Sequence, residues 1–576
     1  MTRLFNDPVA FADEMIDGFV AANASQVRRV PGGVVRSTVS EPGSVAVVIG
    51  GGSGHYPAFG GLVGQGLAHG AAMGNLFASP SAQQVHSVGA AAHLGGGVLF
   101  SYGNYAGDVL HFNQAQERLL DEGIDCRTVV VTDDVASASV AERHKRRGIA
   151  GDLTVFKAAA AASEAGYALD EVVRVATLAN ERTRSFGVAF TGCTLPGADT
   201  PLFTVPEGRM GVGIGIHGEP GIGETDVPTA NGLAELFVST LLAELPEGIA
   251  EAKGQRVGVI LNGLGSVKYE ELFVVYRRVA ELLDEAGVTV VDPEVGELVT
   301  SFDMAGASLT LFWLDDELET FWRAPADTPA YRKGAVAAAE QAPVTDSADE
   351  TDEIPEASDD SRAAARAASQ VIDAIAEVID ENVDELGRID AVAGDGDHGI
   401  GMQRGAQAAR AAAADALERG AGARTLLTRA ADAWSDRAGG TSGALWGAAL
   451  TAVAVELGDT DAPTAATVNA GVQAATARIL TFGAVLGDKT MVDSLVPFAD
   501  TLSSEIAGGA RLAAAWATAA DASTAAAAAT ADLLPRMGRA RPHAEKSLGT
   551  PDAGAHSLAL IVQRITTVLT DNEQEK

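Results

Sequence analysis

Cysteine is nearly absent: Cys126 and Cys193 are the only two in 576 residues. Two thiols cannot build a disulfide framework or a four-thiolate metal centre, and they point to a reducing compartment, the cytoplasm. Basic residues are also scarce, with 41 Lys plus Arg against 77 Asp plus Glu and a net charge of −36. That balance argues against a surface that follows nucleic-acid phosphates or anionic lipid. Long apolar runs are missing too. Even the alanine-rich stretch from Leu512 to Leu534 is broken by Asp521 and Asp532, short of the ~20 apolar residues a membrane span needs. Asp7 and Asp13 come too early for a secretory leader. Aromatics make up only 5%, whereas glycines number 65, a composition suited to backbone-built turns and alanine-packed helices. The length leaves room for three or four domains of about 150 residues each.

The sharpest punctuation lies between Glu340 and Asp360, where nine carboxylates and two prolines occur without a Lys or Arg. Such a segment has too little apolar surface to offset the entropy of ordering and reads as a disordered linker. Upstream, SVAVVIG, GGVLFSY, TVVVTDD, MGVGIGIH, RVGVILN and VTVVDP alternate with amphipathic stretches such as Asp170–Arg184 and Tyr269–Ala286. That alternation predicts α/β structure, with a second α/β unit starting near Ser185. Downstream, eight helices are predicted: Ser361–Leu386, Met402–Arg419, Ala423–Arg437, Ser442–Leu457, Pro463–Leu480, Thr490–Ile506, Arg511–Pro535 and Ala553–Leu569. The two halves therefore differ in fold class, as in a fusion of two functional modules.

Chemistry-bearing residues gather in islands. Gly50-Gly51-Gly52-Ser53-Gly54-His55 follows a predicted strand, where glycines let backbone N–H groups approach ligand oxygens. Neither a phosphate-loop lysine nor a dinucleotide fingerprint accompanies it, and a purely steric turn is the competing reading. Gly103 to Asp108 puts a carboxylate at a strand's carboxyl end, and Gly213 to Gly221 puts His217 at another strand end. Together His55, Asp108 and His217 could supply a base and a nucleophile. In the helical half, Asp390, Asp395 and Asp397 among glycines suit a hard divalent cation. A calcium hand fits poorly, because its twelfth position would be Gly401 or Ala406 rather than Glu. Gly439 to Gly443 opens a helix and could hold phosphate, and polar loops occur at Gly487 to Met491, Gly538-Arg539 and Thr550 to Gly554.

The ordered set GGGSGH, GNYAGD, GIHGEPG, DMAGASLTLFWLDDEL and DTPAY, then DAVAGDGDHG, GGTSGALWG, GDKTMVDSL, GRA and TPDAGAHS, resembles the single-chain dihydroxyacetone kinase family over nearly the whole chain outside the linker. The resemblance implies a ketose-binding half of two α/β units, residues 1–184 and 185–335, the linker over 336–361, and a Mg-ATP-binding eight-helix barrel over 362–576. It implies that His217 holds the substrate carbonyl as a hemiaminal. Asp108 would take the proton of the attacking terminal hydroxyl, with His55 relaying or hydrogen-bonding beside it. Gly52, Ser53, Gly54 and Gly103 would line the substrate. Asp390, Asp395 and Asp397 would hold two Mg2+ ions, and His398, Gly399, Ile400, Gly401, Thr441, Ser442, Gly483, Met491, Arg539, Asp552, Ala553 and Gly554 would surround ATP. A cytoplasmic homodimer is implied, with no nucleic-acid or membrane partner.

Family members commonly carry Glu and His where this chain has Tyr56 and Phe59, and Lys where it has Gly103. The HYPAF variant resembles members acting on erythrulose, so erythrulose is expected ahead of dihydroxyacetone. Two other activities stay open: cleavage of FAD to a cyclic flavin phosphate, and a non-catalytic sugar-binding regulator. Retention of His217 and the three aspartates speaks against the regulator. Phosphoenolpyruvate through a carrier protein is a possible donor, but fusion to a nucleotide domain favours ATP by raising its effective concentration.

Overall fold

β-branched runs in the first half become strands buried on both faces, because helices cover both sides. The computed structural model describes residues 4–342, 354–392, 394, 396–537 and 545–574, and the chain divides into two units, 1–347 and 348–576. After α1 (Phe11–Ala22), the first sheet comprises β1 (Val27–Val30), β2 (Gly33–Arg36), β3 (Ala46–Ser53), β4 (Gly70–Leu76), β5 (Val98–Gly103) and β6 (Cys126–Val131), in the order β1-β2-β4-β3-β5-β6. β4, β3, β5 and β6 are parallel, and β1 and β2 extend the sheet antiparallel. Side chains alternate along the strands. Val48, Val98 and Phe100 pack with α2 (Ala82–Ala92) and α3 (Ala106–Asp121), whereas Val47, Ile49 and Leu99 pack with α4 (Asp152–Glu164) and α5 (Leu169–Glu181).

The second sheet comprises β7 (Thr183–Ala189), β8 (Arg209–Val212), β9 (Gly223–Asp226), β10 (Arg256–Gly263), β11 (Thr289–Gly296) and β12 (Gly306–Leu314), in the order β11-β10-β12-β7-β8-β9. Only the β10–β11 pair is parallel. One face, with Val257, Val259 and Leu261, packs on α6 (Ala230–Leu242) and α7 (Tyr269–Glu285). From the other face Ile260 and Phe312 enter the same core as Val47 and Leu99, joined by Leu318 and Trp322 of α8 (Asp316–Arg323). The expected division at 184/185 falls inside β7, the first strand of the second sheet, and the two sheets share one core. Fully buried side chains such as Phe156 and Phe312 each contribute about 1.5–3 kcal/mol to it.

Among the described residues the second unit has helices and no strands: α9 (Asp359–Asp390), α10 (His398–Glu418), α11 (Ala423–Ala438), α12 (Gly440–Leu457), α13 (Ala465–Leu480), α14 (Val492–Ala507), α15 (Leu512–Ala529) and α16 (Ala553–Gln574). These are the eight predicted helices, with two shifts that matter for the site. α9 continues past Leu386 to Asp390, and α10 begins four residues before Met402, so His398 to Gly401 form its first turn. The expected linker is also narrower at its described ends. The Val39 N–H donates to the Glu340 carbonyl and the Ala342 N–H to the Ser37 carbonyl, both at 2.8 Å. At the far end the Ser358 hydroxyl caps α9 by accepting the Ser361 N–H at 3.0 Å. Residues 343–353 lie outside the described residues.

Candidate functional site

The first unit brings His55, Asp108 and His217 together where β3 and β5 end. The glycine run is not the turn after a strand that the sequence suggests. Gly50, Gly51 and Gly52 lie inside β3, fully buried. Gly51, and Gly54 just beyond the strand, make room for rings: a Cβ on Gly51 would run into Phe59, and one on Gly54 would lie 2.7 Å from the Phe302 ring and 2.9 Å from the Phe77 ring. Ser53 donates its hydroxyl to the Gly74 carbonyl at 2.6 Å. Gly103 closes β5 in a tight setting, where a Cβ would lie 3.2 Å from the Tyr105 ring and 3.3 Å from Gly148. His217 does not sit at a strand end. β8 stops at Val212, and the histidine lies five residues further on in the loop leading to β9.

The imidazoles meet nitrogen to nitrogen, His55 Nε2 to His217 Nε2 at 3.0 Å. His55 Nδ1 lies 2.7 Å from the Thr300 carbonyl, which can only accept, so Nδ1 carries a hydrogen. His217 Nδ1 lies 2.8 Å from a Glu219 carboxylate oxygen and is assigned a hydrogen by the same logic. The short Nε2–Nε2 contact then requires one shared proton, and the Glu219 carboxylate balances its charge. The paired His217 charge and hydrogen bond, with Arg147 beyond, hold Glu219 far below the usual carboxylate range despite its burial. Arg147 lies 3.9 Å from Glu219, pairs with Asp134 at 2.7 Å, and donates to the Gly213 carbonyl at 3.0 Å. Burial, helped by the neighbouring His217 charge, lowers His55 to about 3.

Asp108 stands in the first turn of α3, where a helix N-terminus ordinarily favours the carboxylate. Here burial wins and pushes it up to about 7, against the opposing Ser79 hydrogen bond and His217 charge. One of its oxygens is buried without a hydrogen-bond partner. Such an oxygen is available to a substrate hydroxyl, and a base poised near neutrality suits proton transfer at physiological pH. Tyr105 completes this wall, its ring edge-on to His217 at 4.6 Å and its hydroxyl on the Gly148 carbonyl at 2.9 Å.

Sequence reasoning missed Glu219, Thr300, Phe77 and Arg147. Only Glu219 left a legible signal, an acid two residues after a histidine in a glycine-rich loop.

In the second unit Asp390 ends α9 and Asp397 precedes α10. The Gly396 N–H donates to Asp390 Oδ2 at 2.9 Å. Loss of solvent around its carboxyl and the Asp390 charge push Asp397 up to about 6, with Arg404 opposing. Two carboxylates that penalise each other's charge, both offering oxygen donors, fit a divalent cation. Asp395 and Arg539, also expected here, lie outside the described residues. His398 joins three helices: its Nε2 is 3.0 Å from the Ser557 hydroxyl and its Nδ1 3.4 Å from that of Ser442. Gly399 lets α10 approach α9, since a methyl there would strike the Val383 carbonyl. Thr441 and Ser442 lie in the first turn of α12, as the sequence suggests.

Asp552 caps α16 by accepting the Ala555 N–H at 2.7 Å, and burial, with Asp493 and Asp390 nearby, pushes it up to about 7. Gly554 packs against Met491. A cavity of about 40 Å3 is lined by Asp390, Asp552, Ala553 and Lys489. Lys489, which the sequence offered only as part of a polar loop, is a buried cation whose Nζ donates to the Ser547 carbonyl at 2.8 Å and the Leu533 carbonyl at 3.2 Å. Ile400 is exposed, and Gly401 and Gly483 make no close approach to this cavity's lining.

Residues 17–330 match the Dak1 domain model and residues 392–567 the DAK2 domain model. The chain is 62% identical over 570 residues to the L-erythrulose kinase of Pectobacterium atrosepticum, covering 99% of this chain and 97% of that one. It is 56% identical over 581 residues to the D-erythrulose kinase of Mycolicibacterium smegmatis, covering 100% of both. The crystal structure of the dihydroxyacetone kinase from C. freundii in complex with AMP-PNP and Mg2+ is similar with a TM-score of 0.52 and 28% identity, covering 98% of this chain and 99% of that one.

Proposed function

Because the chain belongs to the dihydroxyacetone kinase family and is a kinase acting on an alcohol group, we propose that it transfers the γ-phosphoryl group of ATP to the terminal hydroxyl of a short-chain ketose, erythrulose ahead of dihydroxyacetone. The observation that carries this reading is the His55–His217–Glu219 chain beside Asp108. In it, His55 accepts the shared proton and frees His217 Nε2, which attacks the ketone carbon. The developing alkoxide takes that proton back from His55. The product is a neutral hemiaminal hydroxyl on an Nε2-alkylated imidazolium, which Glu219 balances. A polyol without a carbonyl cannot make this bond, so the site selects ketoses.

With the carbonyl fixed, Asp108 accepts the proton of the terminal hydroxyl as that oxygen attacks phosphorus. Asp390 and Asp397, with Asp395, would hold Mg2+, whose chemistry is neutralisation of phosphate charge. His398, Ser442 and the N–H groups opening α10 and α12 would orient the nucleotide phosphates. The domain division at 184/185 and 361/362, a cytoplasmic location and a homodimer complete the reading.

A coupled ATP-consumption screen across D-erythrulose, L-erythrulose, dihydroxyacetone and glycerol tests it. The expected order is an erythrulose enantiomer first, dihydroxyacetone about tenfold lower in kcat/KM, and no turnover with glycerol. Glycerol turnover comparable to the ketoses would end the proposal. Glu219→Gln should lower kcat/KM for the ketose about a hundredfold with the KM for ATP unchanged, since the amide leaves the imidazolium unbalanced. An equal loss in nucleotide affinity would remove Glu219 from this role.

A further inference from the structure

Two bulky residues adopt left-handed backbone conformations, Phe77 at φ +52° and Phe302 at φ +51°. Aromatic residues are rare there, and glycine adopts this region freely. Both are held by the end of β3: the Phe77 N–H donates to the Ser53 carbonyl at 2.9 Å and the Phe302 N–H to the Gly54 carbonyl at 3.1 Å. The two rings meet edge to face at 5.6 Å. The Phe77 ring lies 4.9 Å from the His55 ring and 5.5 Å from the His217 ring. Ordinary core packing accounts for buried phenylalanines without a left-handed backbone, yet Phe77 is only partly buried and sits over both imidazoles.

We propose that Phe77 is a positioning residue for the reaction of His217: its ring, braced by Phe302, covers the two imidazoles and keeps water from His55, so the proton leaving His217 passes to the substrate oxygen rather than to solvent. This rests on the hemiaminal reading given above. The groups facing His55 agree with it. Thr300 offers its carbonyl to Nδ1, His217 meets Nε2, Glu219 stands behind His217, and Phe59 lies edge-on at 6.4 Å. The low proton affinity of His55 comes first from burial and then from His217, while Thr300 and Glu219 act the other way. Removing the apolar cover therefore weakens the dominant cause.

The test uses the full chain carrying Phe77→Gly or Phe77→Asn, since both residues tolerate a left-handed backbone. Histidine side-chain NMR titration without ketose should show the His55 midpoint rising by about one unit or more towards its ordinary value. The acid limb of kcat/KM should rise with it, and kcat/KM at pH 7.5 should fall about tenfold with the KM for ATP unchanged. Phe77→Leu, which keeps an apolar cover, should largely restore both. An unmoved His55 midpoint in folded variants overturns the proposal, as does a shifted midpoint with undiminished turnover. Failure of both Gly and Asn variants to fold also overturns it, because the ring would then be a prop of the fold. A His55 shift in a protein that forms no ketose adduct counts against the hemiaminal and leaves the cover standing.

Discussion

Asp108→Asn should make the protein more stable at pH 8 and almost inactive. The folded state holds this carboxyl at about 7, against an ordinary 3.8. Between those values the folded chain binds more protons than the unfolded one, so stability falls as pH rises through that window. At pH 8 the native enzyme carries a buried carboxylate with one oxygen unpartnered. The amide removes that charge, and the expected gain is about 2–4 kcal/mol at pH 8, fading to nothing near pH 4. Turnover should fall about 10²- to 10⁴-fold, the usual contribution of a positioned base. Urea unfolding at several pH values, paired with ketose kinetics, measures both. Equal gains at pH 4 and pH 8 would show that Asp108 is not a strained acid.

His217→Ala should lower kcat/KM for ketose by about 10³-fold or more, because the covalent anchor and the Nε2 nucleophile vanish together. Nucleotide binding should be unchanged. A direct readout needs no turnover: with a ketose carrying 13C at its carbonyl, the wild-type protein should convert the carbonyl resonance to that of a saturated carbon, and the alanine variant should not. A retained saturated-carbon signal in the variant would place the adduct elsewhere. The variant should also lose stability, since Glu219 keeps only the more distant Arg147 as a charge partner.

That His55, Asp108 and His217 come together was legible because each stands in a glycine-rich island of the sequence. Their surroundings were not. Phe77 and Phe302 look like ordinary core aromatics, because left-handed torsions leave no mark in composition. The glycine run suggested backbone reaching for a ligand, and the structure adds that Gly51 and Gly54 also make room for rings, a feature that depends on residues distant in sequence. In the helical half, periodicity found the eight helices of the described residues but misplaced several ends, among them that of α15, which stops at Ala529 rather than Pro535. α9 continues through Gly387, where the pattern suggested an end at Leu386, and α10 starts at a His-Gly turn with little apolar periodicity. Lys489 was visible only as a polar-loop residue, because its burial depends on two carbonyls, 44 and 58 residues away.

His55 and His217 lie across a seam between the two sheets of the first unit. His55 lies two residues past the end of β3 in one sheet, His217 belongs to a loop of the other, and the strip from Thr300 to Phe302 stitches them. The Thr300 N–H binds the His55 carbonyl, the Phe302 N–H binds the Gly54 carbonyl, and the Ser301 hydroxyl binds the Ile216 carbonyl. Evolutionary shuffling or laboratory recombination of the two sheets is therefore constrained by register rather than by sequence similarity. A chimera that takes residues 53–55 from one parent and 300–302 from another keeps both histidines, but must also inherit a matching stitch for the two to meet.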